Sequence, residues 1–285
     1  MKTLTEYLEE NNAPSTVKRY LKEINLFLSS VGNPQTASYG QIMDYLGMQR
    51  KRYKNVQTIV CTLSALKKYY SYLIATNQRE DHPAKSIKLR DNKQRDIQLQ
   101  DLFSSEELQT LLERKERYSE LKTRNKLITS LLIYQGLTTG ELRKLTLENI
   151  NLEAGTIYIK EGRKSNSRTL KLQPTQIMLL YEYIHEIRPR LNKTATNQLI
   201  ISKSGKPESG EQISYLISTF KQRFPGRNLN PKTIRQSVIT NLLKENDLRK
   251  VQVFAGHKYP SATEKYKQSD VEELKNEVLK YHPLQ

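Results

Sequence analysis

The first 88 residues carry apolar side chains at the spacing of amphipathic helices. In the longest example, Ile59 is followed by apolar residues 4, 7, 11 and 14 positions further along the chain. That spacing sets an apolar stripe along one face of a helix. Shorter patterns of the same kind occupy residues 4–8, 17–28 and 42–46. Residues 1–88 are therefore predicted to form an all-helical domain whose stripes face a common core.

A polar stretch interrupts these patterns between Asp81 and Asp96. It is rich in Lys, Arg, Asp, Asn and Gln and has few apolar residues, which is typical of a linker. We place the linker at residues 89–98 and a second domain at residues 99–285. Near the start of that domain, Ser104 and Glu107 have the spacing of a capping box, in which two side chains and two backbone amides bond reciprocally.

The second domain mixes helical and strand periodicity. Residues 156–159 and 168–172 alternate as strands on either side of a polar turn at 161–167. The remaining predictions are a strand at 199–202, helices at 127–137, 181–187, 213–220 and after Pro231, and an amphipathic helix at the chain end, after a capping box at Ser269 and Glu272. The predicted fold class is therefore mainly α with a small β-sheet.

The charge of the chain favours an anionic partner. Of its 285 residues, 47 are Lys or Arg and 30 are Asp or Glu, so the net charge is +17. An excess of this size indicates nucleic acid first. No apolar run approaches the roughly 20 residues of a membrane-spanning helix, and the opening residues lack the apolar core of a secretory signal. We expect no membrane partner and, by default, a cytoplasmic protein.

The sequence gives no sign of a metal site or a disulfide. Cys61 is the single cysteine, which excludes an internal disulfide and a cysteine-based zinc cluster. The four histidines show no metal-ligand spacing. We therefore expect no metal and no other cofactor.

A basic run follows the third predicted helix. Its cations are Arg50, Lys51, Arg52 and Lys54, and Lys67 and Lys68 lie on the next predicted helix. A charge run is usually a solvated face. Here the concentration of cations favours contacts with DNA phosphates, which would position the protein without reading base sequence.

Three residues in the last third of the chain have the chemistry of phosphoryl transfer. Arg235, His257 and Tyr266 occur in that order, separated by 22 and 9 residues. A tyrosine phenol can attack phosphorus and keep the bond energy in a covalent intermediate. Arginine and histidine can stabilise the charge that builds on the phosphate oxygens. The segment resembles the carboxy-terminal signature of the tyrosine recombinases, which include the phage integrases and Xer-type recombinases.

The resemblance implies a fold, an activity and partners. A helical, SAM-like core-binding domain would precede a mixed α+β catalytic domain, and together they would act on double-stranded DNA. Tyr266 would attack the scissile phosphate, with Arg235, His257 and Lys232 stabilising it, so that strands are broken and rejoined through a 3′-phosphotyrosine. The helix at the chain end would dock on a neighbouring protomer of a homo- or hetero-oligomer, a tetramer on DNA, or else on its own domain.

One position departs from the family pattern in a way that bears on activity. Gly136, Leu137, Glu141 and Leu142 match the family, but Thr138 stands where the family has the first of its two phosphate-binding arginines. Thr138 and Glu141 have capping-box spacing, so the local structure can persist without the cation. Loss of one charged donor would cost on the order of 3 kcal/mol of transition-state stabilisation. The alternative function is therefore an integrase-like protein that binds DNA without cleaving it.

The family's catalytic lysine also has two candidates in this chain. If Arg168 is paired with the family arginine that opens the second hairpin strand, Arg163 falls on the lysine position and Lys164 follows it. An arginine is a poor proton donor because its pKa exceeds about 12. Lys164 would fill the role if the register of the hairpin shifts by one residue.

A third possible function is a helical nucleic-acid-binding protein unrelated to recombination. It would leave the ordered spacing of Arg235, His257 and Tyr266 unexplained.

Overall fold

The chain divides into two compact units, Met1–Arg95 and Asp96–Gln285. The computed structural model describes residues 2–89, 99–114, 116, 118–163 and 165–267. The predicted linker therefore lies almost wholly outside the described residues, as does the predicted helix at the chain end.

The amino-terminal unit consists of four helices, as predicted. They are α1 (Leu4–Glu9), α2 (Pro14–Ser30), α3 (Tyr39–Arg52) and α4 (Val56–Ala75). The start of α3 is fixed by Ser38, whose side chain accepts from the Gln41 amide in a capping box, and Asn55 caps α4. The stripe that begins at Ile59 is buried along its whole length. It forms one core with Phe27 and Tyr45, whose rings meet edge to face with centroids 5.0 Å apart.

The second unit is mainly helical with one small sheet. Its helices are α5 (Ser105–Thr110), α6 (Ser119–Tyr134), α7 (Thr139–Lys144), α8 (Pro174–Glu182), α9 (Arg188–Leu191), α10 (Gly210–Ser218), α11 (Pro231–Glu245) and α12 (Leu248–Ala255), with a π-helical turn at Tyr183–Ile187. Residues 261–267 are also helical. The predicted capping box of Ser104 and Glu107 begins α5 and is confirmed.

The sheet contains β1 (Ile150–Asn151), β2 (Thr156–Ile159) and β3 (Arg168–Lys171), in that order and antiparallel. Ile157 pairs with Leu170, and Ile159 with Arg168. The predicted hairpin is confirmed. The prediction of a strand at 199–202 is wrong, because within that segment only Ile201 makes an isolated bridge, to Pro207. Its apolar residues are buried, but they join no sheet.

Helix α6 lies in the core of the second unit. Leu127, Ile128, Leu131 and Leu132 are fully buried on it. Helix α11 packs against α6 and α12 packs against α11. This packing brings the end of α6 close to α11 and to the end of α12, although α6 is far from both in sequence. No helix within the described residues is both long and apolar enough to cross a membrane.

Candidate active site

Arg235 joins three segments of the second unit. It lies one turn into α11, whose start is fixed by the Asn230 cap and by a proline at the first helical position. Its Nη1 donates to the carbonyl of Gly136 after α6, and its Nη2 to the carbonyl of Ala255 at the end of α12, each at 2.6 Å. These two bonds hold the guanidinium in one orientation, as a phosphate-binding arginine requires.

His257 follows the turn that ends α12. Gly256 forms that turn in the left-handed conformation, with φ of 69°. The imidazole Nε2 lies 3.3 Å from Nη2 of Arg235, and Nδ1 lies 2.8 Å from Oγ1 of Thr263. Because a guanidinium can only donate, Nε2 is the acceptor, and Nδ1 carries the proton and donates to Thr263.

The imidazole of His257 is neutral at physiological pH. Burial lowers its pKa, and the charges of Arg235 and Arg168 lower it further, to about 4. The ring is held from both nitrogens, so its orientation and its tautomer are fixed together.

Tyr266 lies against His257 on the helical segment 261–267. The two rings are stacked, with centroids 6.2 Å apart and planes inclined by 14°. The phenol packs beside Ile239, Val251 and Ala255. Burial raises the pKa of Tyr266, and the charge of Arg235 offsets this only in part. The structure thus brings Arg235, His257 and Tyr266 into one cluster.

The position of the missing arginine is an exposed helix cap. Thr138 begins α7, where its hydroxyl accepts from the Glu141 amide at 3.1 Å while its own amide donates to the Glu141 carboxylate at 2.9 Å. The predicted capping box is confirmed. The same carboxylate reaches two cations, Arg168 Nη1 at 2.6 Å and Arg235 Nη1 at 3.5 Å. Burial would raise the pKa of Glu141, but the Arg168 hydrogen bond and the two positive charges outweigh it and lower the pKa.

Arg168 is a member of the site that sequence reasoning missed. It opens β3 and is buried, with only 3% of its side chain exposed. The signal was present in the strand pattern, because Arg168, Leu170 and Leu172 alternate inward. An arginine on the buried face of a strand needs a partner, and Glu141 supplies one.

The hairpin turn lies beside the His257 turn. Gly162 and Ser165 bond across it, the Asn166 amide donates to the Gly256 carbonyl at 2.8 Å, and Ser165 makes a bridge to His257. Arg163 is exposed on this turn. Lys164, the alternative candidate, lies outside the described residues. Arg163 therefore belongs to a loop that borders the site.

The other predicted residues lie at the surface or serve the fold. Lys232 is exposed in the first turn of α11, three residues before Arg235. In the amino-terminal unit the cations of the basic run are exposed: Arg50, Lys51, Arg52 and Lys54. Lys67 differs, because its Nζ donates to the carbonyls of Lys85 and Ile87 at 3.1 and 2.8 Å. Lys68 is half-buried.

No three His, Cys, Asp or Glu side chains lie together as a metal site would require within the described residues. The donors of the cluster are instead two guanidinium groups, an imidazole and a phenol. The Glu141 carboxylate lies between the two guanidinium groups. Guanidinium groups are suited to binding phosphate, and a phenol can act as a nucleophile.

Comparison with known proteins assigns both units. A family model described as the phage integrase family matches residues 102–273, and one described as the phage integrase N-terminal SAM-like domain matches residues 1–77. The tyrosine recombinase XerD of Staphylococcus saprophyticus is 28% identical over 280 residues, which cover 96% of this chain and 93% of that protein. XerD of Staphylococcus aureus strain Mu50 is 30% identical over 249 residues, covering 85% and 82%.

Solved structures show the same fold. The crystal structure of XerH site-specific recombinase bound to difH substrate, a pre-cleavage complex, superposes with a TM-score of 0.70 at 19% identity, covering 92% of this chain and 81% of that one. A lambda integrase dimer bound to a COC′ core site superposes with a TM-score of 0.68 at 13% identity, covering 92% and 75%. With both units matched in sequence and in fold, the chain belongs to the phage integrase family of tyrosine recombinases.

Proposed function

We propose that this protein is a site-specific recombinase that breaks and rejoins strands of duplex DNA through a 3′-phosphotyrosine at Tyr266. The observation that carries this proposal is the single cluster in which Arg235 reaches His257 and the ring of His257 stacks on Tyr266. Support also comes from two solved structures of the same fold, XerH site-specific recombinase bound to difH substrate and a lambda integrase dimer bound to a COC′ core site.

The chemistry needs no cofactor in this account. The Tyr266 phenol gives its proton to a general base as its oxygen attacks phosphorus, a phosphotyrosine bond forms, and the bond to the 5′ oxygen breaks. The 5′ oxygen leaves with a proton from a general acid. A 5′ hydroxyl of a second strand then attacks the phosphotyrosine, which releases the phenol and rejoins the DNA. The number of phosphoester bonds is conserved, so no nucleotide is consumed.

The residues of the cluster have separate roles in this scheme. Arg235, fixed by two carbonyls, stabilises charge on the non-bridging oxygens. His257 accepts a hydrogen bond from Arg235 and stacks on Tyr266, so it fixes the positions of these two side chains relative to each other. Lys232 adds a point charge at the start of α11. Arg163 or Lys164 on the hairpin turn assists the leaving oxygen. Lys164 is the better acid, because an arginine keeps its proton at a pKa above about 12.

The amino-terminal unit holds the duplex in this proposal. Its exposed cations at the end of α3 contact phosphates, and copies of the chain assemble on the DNA as a tetramer, coupled by the chain-end helix.

The second candidate function, DNA binding without cleavage, is favoured by one observation. Thr138 puts a neutral helix cap where the family has a cation. A member of the family without that charge would still recognise its DNA site.

A nicked suicide substrate separates the two functions. Its sequence comes from the ends of the element that carries the gene, and the nick traps the enzyme after one cleavage. We expect a covalent protein–DNA adduct that Tyr266→Phe abolishes. Tyr259→Phe is the matched control, since Tyr259 is 71% exposed just before the helical segment that carries Tyr266.

Three outcomes decide the matter. An adduct that disappears only in Tyr266→Phe establishes cleavage. Specific binding with no adduct, and none in Thr138→Arg, favours the binding-only function. An adduct that forms only in Thr138→Arg would locate the defect at that one position.

A further inference from the structure

Arg168 lies in the same cluster as Arg235, although Arg168 is on β3 and Arg235 is on α11. Its Nη1 shares the Glu141 carboxylate with Arg235. The guanidinium also lies directly against the backbone of Gly256: a Cβ at that position would be 2.5 Å from Nη1 and 3.0 Å from Cζ. The next residue is His257. The charge on Arg168 is therefore packed beneath the turn that carries the histidine.

The charges of the buried cluster do not cancel. Arg235 and Arg168 contribute +2, Glu141 contributes −1, and His257 and Tyr266 are neutral, since burial holds the pKa of the first low and that of the second high. Glu141 is the one carboxylate paired with either guanidinium in the part of the chain that the structure describes. The cluster thus keeps a net charge of +1.

Two donors of Arg168 are left over. Its Nε and Nη2 are buried and have no hydrogen-bond partner among the described residues. A buried charge normally has all its donors satisfied, because an unmet donor in a low-dielectric interior is costly. An uncompensated cation of this kind stabilises an anion that binds next to it.

We propose that Arg168 supplies, from beneath the Gly256 turn, the second positive charge of the phosphate site that the neutral Thr138 position lacks. If Arg168 were absent, the charges of Arg235 and Glu141 would cancel and the site would be neutral. With it, the site stays positive where the scissile phosphate enters. Since its guanidinium is buried, Arg168 acts through Glu141 and through its field; it is a positioning residue. The proposal rests on the proposed function for its catalytic consequence.

The test compares a charged and an uncharged scissile group. Suicide substrates carry either the ordinary phosphodiester or a methylphosphonate, which has no negative charge to neutralise. In Arg168→Gln we expect the rate of adduct formation on the phosphodiester to fall about 100-fold, the scale for one lost charge-stabilising donor. The loss on the methylphosphonate should be much smaller, and Arg168→Lys should recover part of the phosphodiester rate.

The matched control is Arg188→Gln. Over the whole residue Arg188 and Arg168 are each 6% exposed, but Arg188 donates to the carbonyls of Thr196 and Gln198. Removing it should affect the two substrates alike. If Arg168→Gln lowers the rate of adduct formation equally on both substrates, the proposal is overturned, and Arg168 serves only to stabilise the fold.

A second measurement stands even if the wild-type chain forms no adduct. The His257 imidazole is titrated by NMR in the free full-length protein. Because the Arg168 charge lowers the pKa of His257, Arg168→Gln should raise that pKa, and Arg188→Gln should leave it unchanged. An unchanged His257 pKa in Arg168→Gln would show that its charge is not felt in the site and would overturn the proposal without reference to cleavage.

Discussion

The charge state of His257 is set by its surroundings, which makes it a measurable property of the folded site. Burial and the charges of Arg235 and Arg168 lower its pKa to about 4, compared with an ordinary value near 6.5. Between these pH values the unfolded chain binds a proton that the folded chain does not. Stability must therefore rise with pH across that window and be lost as the pH falls through it.

We predict that His257→Gln removes this part of the pH dependence. The free energy of unfolding of the wild type should fall more steeply than that of the variant between pH 6.5 and about 4.5. Below that range Glu141, whose pKa is also lowered, contributes a loss of its own. Urea titrations at a series of pH values measure the difference. His185→Gln, at an exposed position, is the control; parallel curves for wild type and His257→Gln would contradict the account.

Single residues were predictable where order and spacing sufficed. Arg235, His257 and Tyr266 are predictable because their order and spacing resemble the family signature, and the structure brings them together. Arg168 was not selected, because its role depends on the inward face of β3 meeting α7, which no local pattern specifies. For Lys67 the sequence showed a cation but could not show the two carbonyls that use it.

The end of α12 shows how an element positions the site. Gly256 ends the helix at φ 69°, a conformation that costs a residue with a Cβ roughly 1–2 kcal/mol. A Cβ at this position would also clash with the Arg168 guanidinium. The turn aims His257 at Arg235 and leaves no room for a side chain.

Gly256→Ala should therefore destabilise the protein and disturb the site together. Gly226→Ala is the matched control, since Gly226 has φ 77° but nothing within 4 Å of its would-be Cβ. Both variants lose the roughly 1–2 kcal/mol of the left-handed conformation, and Gly256→Ala loses more through the clash. Chemical denaturation compares them. Equal losses of stability in the two variants would mean that the Arg168 side chain can move away from the new Cβ at little cost in free energy.

Elements were predictable to the extent that their signals were local. The capping boxes at Ser104 and Thr138 depend on residues three apart, and both form. The β2–β3 hairpin follows from alternation and a polar turn. The strand predicted at residues 199–202 does not form, because an apolar run indicates that a segment is buried but not that it pairs with another strand.

The whole molecule joins a basic helical unit to the unit that carries the cluster. The change in composition after Asp81 predicted two domains, and the chain divides into two compact units. Net charge predicted an anionic partner but could not identify which cations would contact it, because a lysine such as Lys67 can hold the fold instead.

Binding to DNA should show this difference through its salt dependence. Each lost phosphate contact lowers the slope of log K against log salt by about 0.9. Replacing Arg50, Lys51, Arg52 and Lys54 together by alanine should lower the slope by about 3 to 4. Lys67→Ala should leave the slope nearly unchanged and reduce stability, because its amine holds residues 85–87. An unchanged slope in the fourfold variant would show that the basic run is a solvated face.

Cleavage through Tyr266 is tested by identifying the covalent bond between the protein and DNA. The adduct trapped on the suicide substrate is digested with protease and nuclease, and the nucleotide-linked peptide is sequenced by mass spectrometry. We expect a nucleotide attached through its 3′ phosphate to Tyr266, in the peptide that follows His257. Attachment to a different residue, or through a 5′ phosphate, would contradict this expectation.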